Sequence, residues 1–277
     1  VNAEIIDTHC HLNMVQQAGI SIEEAFANAK AAGVTSAVLI AVDEESARYH
    51  ADLVQKKSTP GLQLLWTAGL HPEGADNVSG LQTLFAFVRE SRDRLDFLGI
   101  GETGLDYYHS TEFVNNQKES FRAHLELSVE LQLPIIVHLR DSQKFEPGKI
   151  QSVNDAAAMV RETKARGVLH CFTYGYEEAM RFVDMGWFIS FSGILTYKNA
   201  QVIQDAAARL PLECILVETD APFLTPNPVR GKPNQPAYTV HTAKFLADLR
   251  SKANGEDPDQ VLAQIHQNSE RFFALKK

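Results

Sequence analysis

The sequence is short of the residues that would commit it to an unusual physical class. Among 277 residues there are three cysteines, Cys10, Cys171 and Cys214. So sparse and odd a set excludes a disulfide framework and points to a reducing, cytoplasmic setting. No apolar run approaches the roughly 18 residues of a membrane span, so no membrane is expected as a partner. The stretch Val1 to Leu12 has no basic start and carries Glu4 and Asp7, unlike a secretory signal. Basic charge is short as well: 26 Lys and Arg against 35 Asp and Glu leave a formal net charge of −9. That balance argues against a broad nucleic-acid-binding or lipid-binding surface, though not against an enzyme holding one phosphate among cations. Glycine-rich phosphate loops are missing, and Ser192 in Phe191-Ser192-Gly193 lacks the surroundings of a nucleophile elbow. No segment resembles a nucleic-acid-binding module, and no obligate protein partner is evident.

What is present is an alternation. Short β-branched runs occur at Glu4–His9, Ser36–Ala41, Leu64–Leu70, Phe97–Glu102, Pro134–Leu139, Gly167–Cys171, Trp187–Phe191 and Ile215–Thr219. Amphipathic stretches lie between them at Ile22–Ala32, Glu44–Lys57, Leu81–Glu90, Glu112–Gln132, Asn154–Arg166, Glu177–Met185 and Asn199–Leu210, with Tyr238–Lys252 and Pro258–Leu275 after the last run. Strand–helix alternation implies parallel βαβ units. Eight such units in a chain of this length predict an α/β fold, a (β/α)8 TIM barrel, with residues 1–277 forming a single domain. The proline-rich stretch Ala221–Pro236 reads as a long functional loop after strand eight.

Barrel strands should be nearly all apolar, yet here their C-terminal ends carry histidine or carboxylate again and again. Strand one ends in Asp7-Thr8-His9-Cys10-His11, strand three runs into His71, strand four into Glu102. Strand five ends at His138, strand six at His170, and strand eight at Glu218-Thr219-Asp220. Active sites of (β/α)8 enzymes are built on that face, so these residues should converge. His9 and His11 are two apart and should point the same way on an extended strand, forming a clamp for a metal ion, with Cys10 pointing away. Glu102 and Asp220 add the negative charge a divalent cation requires, and a buried carboxylate without a partner would be costly. His138 and His170 are placed for a second ion, with Glu102 bridging the two and Glu218 orienting ligands from behind. His50, His109, His124, His241 and His266 are expected to be surface or packing residues. Cys10 and Cys171 are expected to be buried hydrophobes turned away from the pocket. Phe121, Leu125, Leu127, Val129 and Leu131 are expected to form the core face of the fourth long helix.

These residues resemble the TatD family of metal-dependent deoxyribonucleases, among the amidohydrolase-like metallohydrolases. The resemblance is carried by Asp7-Thr8-His9-Cys10-His11-Leu12, Gly69-Leu70-His71-Pro72, Gly101-Glu102-Thr103-Gly104-Leu105-Asp106-Tyr107, Pro134 to His138, His170-Cys171-Phe172 and Glu218-Thr219-Asp220-Ala221-Pro222. Arg230-Gly231-Lys232, Asn234 and Asn268-Ser269-Glu270-Arg271-Phe272-Phe273 also match. The resemblance implies that His9, His11, Glu102 and Asp220 hold one metal and that Glu102, His138 and His170 hold the other. It places His71, Arg140 and Arg230 beside a scissile phosphate. It implies a DNA phosphodiesterase, 3′→5′ exonuclease-like, with two divalent ions drawn from Mg, Mn, Zn or Ni. Asp220 would accept the proton of the attacking water. His71, with a pKa near neutral, would contact the phosphate or protonate the leaving oxygen. The chain departs from the family pattern at Thr103, Thr173-Tyr174-Gly175 and Gln235, expected to border the pocket mouth, and the loop Asp141–Val153 looks extended. Two alternatives stand beside this reading: a related metallohydrolase cleaving an amide, lactone or aminoacyl ester, and a non-catalytic metal-binding protein. Many such amide and lactone enzymes bridge their metals with a strand-end lysine. No candidate strand ends in lysine here, which favours Glu102 as the bridge.

Overall fold

Strands that are apolar throughout are stable only when both faces are covered, and the alternating helices provide that cover. The computed structural model describes residues 4–57, 59–76, 78–109, 112–141 and 151–274. In chain order its elements are β1 Ile5–Cys10, α1 Leu12–Gln17, α2 Ile22–Ala32, β2 Val34–Leu39, α3 Glu44–Lys56, β3 Gln63–Ala68, α4 Leu81–Ser91, β4 Phe97–Asp106 and α5 Val114–Leu131. There follow β5 Ile135–Arg140, α6 Gln151–Thr163, β6 Gly167–Leu169, α7 Tyr176–Val183, β7 Phe188–Phe191, α8 Gln201–Arg209, β8 Ile215–Val217, α9 Thr239–Asn254 and α10 Pro258–Phe273. The strands pair in sequence order, each parallel to the next.

The sheet returns on itself between β8 and β1. Cys10 and Ala221 form a parallel bridge, and the Asp220 amide donates to the His9 carbonyl at 2.9 Å. Behind that seam, Asp7 accepts from the Thr219 amide at 2.8 Å and from its hydroxyl at 2.7 Å. Burial pushes the Asp7 carboxyl up to about 8 against the opposing pull of those hydrogen bonds, so it retains a proton at neutral pH. The expected (β/α)8 barrel is therefore the observed one.

One apolar layer fills the barrel interior: Val38, Leu65, Leu98, Ile136, Val168, Phe188 and Leu216 come from β2 through β8 in turn, joined by Phe272 and Phe273 of α10. The Phe188 and Phe272 rings lie 5.1 Å apart, so the last helix stoppers the floor. Asn268 clips it there by donating to the carbonyls of Leu212 at 2.7 Å and Ile215 at 2.9 Å. The closing motif noted in the sequence is thus structural.

Boundaries shift where the site begins. β6 and β8 stop at Leu169 and Val217, two residues before the expected ends, because His170, Cys171, Glu218 and Thr219 leave the ladder to carry polar contacts. β4 instead runs on to Asp106. α1 was not anticipated. Val129 is 46% exposed and lies on the outer face of α5, correcting its assignment to the core; Phe121, Leu125, Leu127 and Leu131 are buried as expected. Most of the loop Asp141–Val153, residues 142–150, and the helix end expected at Leu275 fall outside the described residues. Among the described residues no helix is long and apolar enough to cross a membrane.

β4 and β5 approach each other closely at Gly104, which pairs with His138. Its φ of +143° is foreign to residues with a side chain, and a Cβ there would fall on the His138 carbonyl oxygen. Gly104→Ala should therefore destabilise the chain by about 3 kcal/mol or more in urea unfolding. Gly80→Ala, at a φ of −74° with open space around the new methyl group, should stay within about 0.5 kcal/mol. Equal stability of the two variants would contradict the close approach.

Candidate metal centre

A cleft of about 780 Å³ opens over the C-terminal ends of the strands, and His11, His71, Glu102, His138, Arg140, His170 and Asp220 line it. His9 lies beneath, fully buried. The two histidines of strand one do form a clamp: their Nε2 atoms are 3.2 Å apart. Glu102 Oε2 lies 3.4 Å from His9 Nε2 and 3.5 Å from His11 Nε2. Asp220 Oδ1 lies 3.7 and 3.4 Å from the same two nitrogens. Donor separations of this size are roughly those between corners of a tetrahedron with ~2.0–2.2 Å metal bonds.

The other oxygen of Glu102 serves a second group. Oε1 is 3.1 Å from His138 Nδ1 and 2.7 Å from His170 Nε2, and those two nitrogens are 3.3 Å apart. His71 Nε2 stands at 3.6 Å from the same oxygen. One buried carboxylate is thus divided between two donor sets, one with both histidines from the end of β1 and one with histidines from the ends of β5 and β6.

In three of these histidines the ring nitrogen turned away from the cluster is fixed by an acceptor, whereas buried His9 Nδ1 has no hydrogen-bond partner. His11 Nδ1 donates to the Ile40 carbonyl at 3.0 Å, and His170 Nδ1 to Glu218 Oε1 at 3.3 Å. His138 Nε2 donates to Asp106 Oδ2 at 3.0 Å. Each such bond holds the proton on the far nitrogen and leaves a lone pair facing the cluster, the tautomer a metal ligand needs. Charge supports the same fit. Burial alone would raise the Glu102 carboxyl, but the charge of His170 and the hydrogen bonds from His138 and His170 hold it well below its usual range. Asp220 is likewise lowered, burial being outweighed by His11 and His9. Burial would lower His170, yet Glu102 and Glu218 raise it well above 6.5; His11 and His138 are raised for the same kind of reason. Two buried carboxylates that favour positive charge on the imidazoles around them offer divalent cations the same charge and donor chemistry in place of protons. The residues present fit such ions.

His71 differs from its expectation. Burial, only partly offset by Glu102, lowers its pKa to about 3, so it is neutral and not a near-neutral proton donor. Its Nδ1 accepts from the Glu73 amide at 3.2 Å, which leaves the ring proton on Nε2. The loop before it is held by His124, whose Nε2 accepts from the Leu70 amide at 3.1 Å. Packing, the expected role of His124, therefore bears on the site.

Arg140 is exposed at the cavity wall, its guanidinium 4.0 Å over the Tyr108 ring. Arg230 is not among the lining residues; it lies 4.2 Å over the Tyr197 ring on the β8 loop. Cys10 points into the core as expected. Cys171 does not turn away: with β6 ended and its own φ at +43°, it lines the cavity, its Sγ 3.2 Å from the Ser192 hydroxyl. Burial pushes its thiol well above the usual range. Of the departures from the family pattern, Thr173 does border the cavity, whereas Thr103 and Gln235 are buried away from it.

Two residues near the site were missed. Asp106 anchors His138, and His109, expected to be incidental, sits at the cavity mouth with Nδ1 2.9 Å from Asp106 Oδ2 and 2.8 Å from Glu73 Oε1. The signal for Asp106 was present: it follows Glu102 by four residues on one strand and shares its face by the period of two.

Comparison with known proteins gives the family of the chain. The TatD related DNase family profile matches residues 6–274. The chain is 35% identical to the uncharacterized metal-dependent hydrolase YcfH of Escherichia coli, covering 98% of this chain and 96% of that protein. It is 30% identical to the uncharacterized metal-dependent hydrolase YabD of Bacillus subtilis, over 98% and 99% of the two chains. The crystal structure of the TatD homologue YjjV from Escherichia coli superposes with a TM-score of 0.84 at 25% identity, covering 100% of both chains. With barrel, histidine–carboxylate cluster and sequence in agreement along the chain, the protein belongs to the TatD family of metal-dependent hydrolases.

Proposed function

We propose that this chain is a two-metal phosphodiesterase acting on DNA, 3′→5′ exonuclease-like. The observation that carries this reading is the division of Glu102: Oε2 faces His9 and His11, Oε1 faces His138 and His170. His9, His11, Glu102 and Asp220 would hold one ion, and Glu102, His138 and His170 the other. Divalent cations held there would supply an activated water and positive charge for the phosphate oxygens. The strands around the site end in residues other than lysine, which supports Glu102 as the shared ligand.

The chain's own groups then divide the remaining work. Asp220, held ionised by His11 and His9, takes the proton of the attacking water on a carboxylate oxygen. Neutral His71 donates from Nε2 to a phosphate oxygen; it does not supply the leaving group's proton. Arg140, presented flat on Tyr108, meets a phosphate of the strand at the cavity wall. Arg230, outside the lining, contacts the strand farther out. His71, Arg140 and Arg230 would together give an acidic protein a local donor patch for a polyanion.

Glu102→Ala should keep the barrel's circular dichroism while losing bound metal in elemental analysis, together with hydrolysis of end-labelled single-stranded DNA. Wild-type metal occupancy in that variant would remove Glu102 from the bridge. The same assay with an aminoacyl ester and a lactone beside the DNA decides substrate class; turnover of the esters alone would overturn the phosphodiesterase reading.

Asp220→Asn preserves shape and an oxygen donor but abolishes the basic charge. Turnover should fall by at least ~10²-fold, the usual scale of general-base catalysis, with a smaller loss of metal. Near-wild-type rates would assign the proton to another group.

Asp106→Asn tests the second ion separately. Asp106 Oδ1 accepts from the amides of Tyr108 and His109, both at 2.9 Å, so an asparagine oxygen would stay there and its NH2 would face His138 Nε2. His138 would then carry its proton on Nδ1, against Glu102. Metal affinity of that half should fall about 10–100-fold in a Mn or Zn titration, with the other half unaffected. Uniform weakening of both halves would speak against the tautomer argument.

A further inference from the structure

The cavity lining is mixed, with Leu70 and Leu139 beside the polar groups of the β3-to-β5 side. From β3 to β5 it presents His71, Glu73, His109 and Arg140. From β7 through β8 to α1 it presents Ile194, Phe223 and Met14. Phe223 stands out because its ring is 51% exposed. The other large exposed apolar residues among those described, Leu95, Val129 and Val202, lie away from the cleft. An aromatic face left in water forgoes the gain of burial, so its placement beside the site calls for an occupant.

The backbone that carries this ring is also held in place. Its amide donates to the Asp220 carbonyl at 2.9 Å, and its own carbonyl accepts from Asn234 Nδ2 at 2.6 Å. Asn234 is fully buried, and the same amide nitrogen donates to the Thr219 carbonyl at 2.9 Å. Phe223 is therefore locked to the strand end that carries Asp220. It meets the His11 ring at 6.4 Å with an interplanar angle of 64°. A phosphate beside His11 and Asp220 would leave a base, joined to it through one sugar, next to this ring.

We propose that Phe223 is a stacking platform for the nucleobase adjoining the scissile phosphate, setting the strand with that base toward β8 and its flanking phosphate toward Arg140. The proposal rests on the phosphodiesterase reading. A nucleobase suits the site because its planar face covers the ring while its polar edges stay in the open cleft; an aliphatic group offers neither.

The test uses the metal-loaded protein and end-labelled single-stranded oligonucleotides, one intact and others with a tetrahydrofuran residue replacing the nucleotide on either side of the cut. Phe223→Ala should lower kcat/KM on the intact strand by about 5- to 150-fold, the range of one base–aromatic stack. Phe223→Leu should fall similarly, since it keeps apolar bulk without a planar face, and Phe223→Trp should retain activity. On the strand lacking the stacked base, wild type and Phe223→Ala should cleave at equal rates, because removing ring and base together removes one interaction. Bound metal should be unchanged, and if the alanine variant loses metal the leucine and tryptophan variants decide. Equal losses on intact and base-free strands, full activity of Phe223→Leu, or no loss in any variant would overturn the platform while leaving the phosphodiesterase reading standing. Failure of the wild type to cleave any of the strands would overturn both.

Discussion

A carboxylate taken out of water at the mouth of a barrel must be surrounded by positive charge or by donors, and Glu102 imposes that requirement on its neighbours. It is 2% exposed, and both its oxygens lie against imidazole nitrogens from β1, β5, β6 and the loop after β3. Remove those nitrogens and the charge is stranded; remove the charge and the imidazoles crowd one another, His9 stacking on His170 at a ring separation of 4.0 Å. The cluster is a mutual arrangement that neither half sustains alone, and divalent cations complete it with the charge it already solicits.

Behind the cluster lies a set of acceptors that orient its imidazoles. Asp106, Glu218 and the Ile40 carbonyl decide which nitrogen of His138, His170 and His11 carries a proton. The Asp7–Thr219 pair decides whether β8 stays closed on β1, and hence whether Asp220 reaches His9 and His11 at all. Geometry at the centre is thus borrowed from packing several ångströms away.

Much of this was legible in the sequence. The period of two placed His9 and His11 together, strand–helix alternation gave the barrel, and α2 runs over the span Ile22–Ala32 that its periodicity marks. Where the reading failed, regular periodicity had ended. Cys171 lies past the end of β6 in a left-handed conformation, so strand alternation says nothing of its direction. A register shift between Ile100 and Thr103 breaks the β4–β5 ladder beside Glu102, so its facing came from chemistry, not from counting. The lowered pKa of His71 depends on burial by residues distant in the chain, which no local pattern records. Arg230 was placed by its neighbours in a motif, but its guanidinium follows the Tyr197 ring.

The stopper at the barrel floor has a consequence for biosynthesis. Phe272 and Phe273 fill the interior, Asn268 clips α10 to the start of β8, and β8 closes on β1. A ribosome that has delivered the first four strands has made His9, His11 and Glu102 but neither the seam nor the floor that fixes them. Assembly therefore waits for nearly the whole chain to emerge, and until then the histidines are loose ligands on an open sheet. The full ligand set is therefore a property of the closed barrel and not of any half of it.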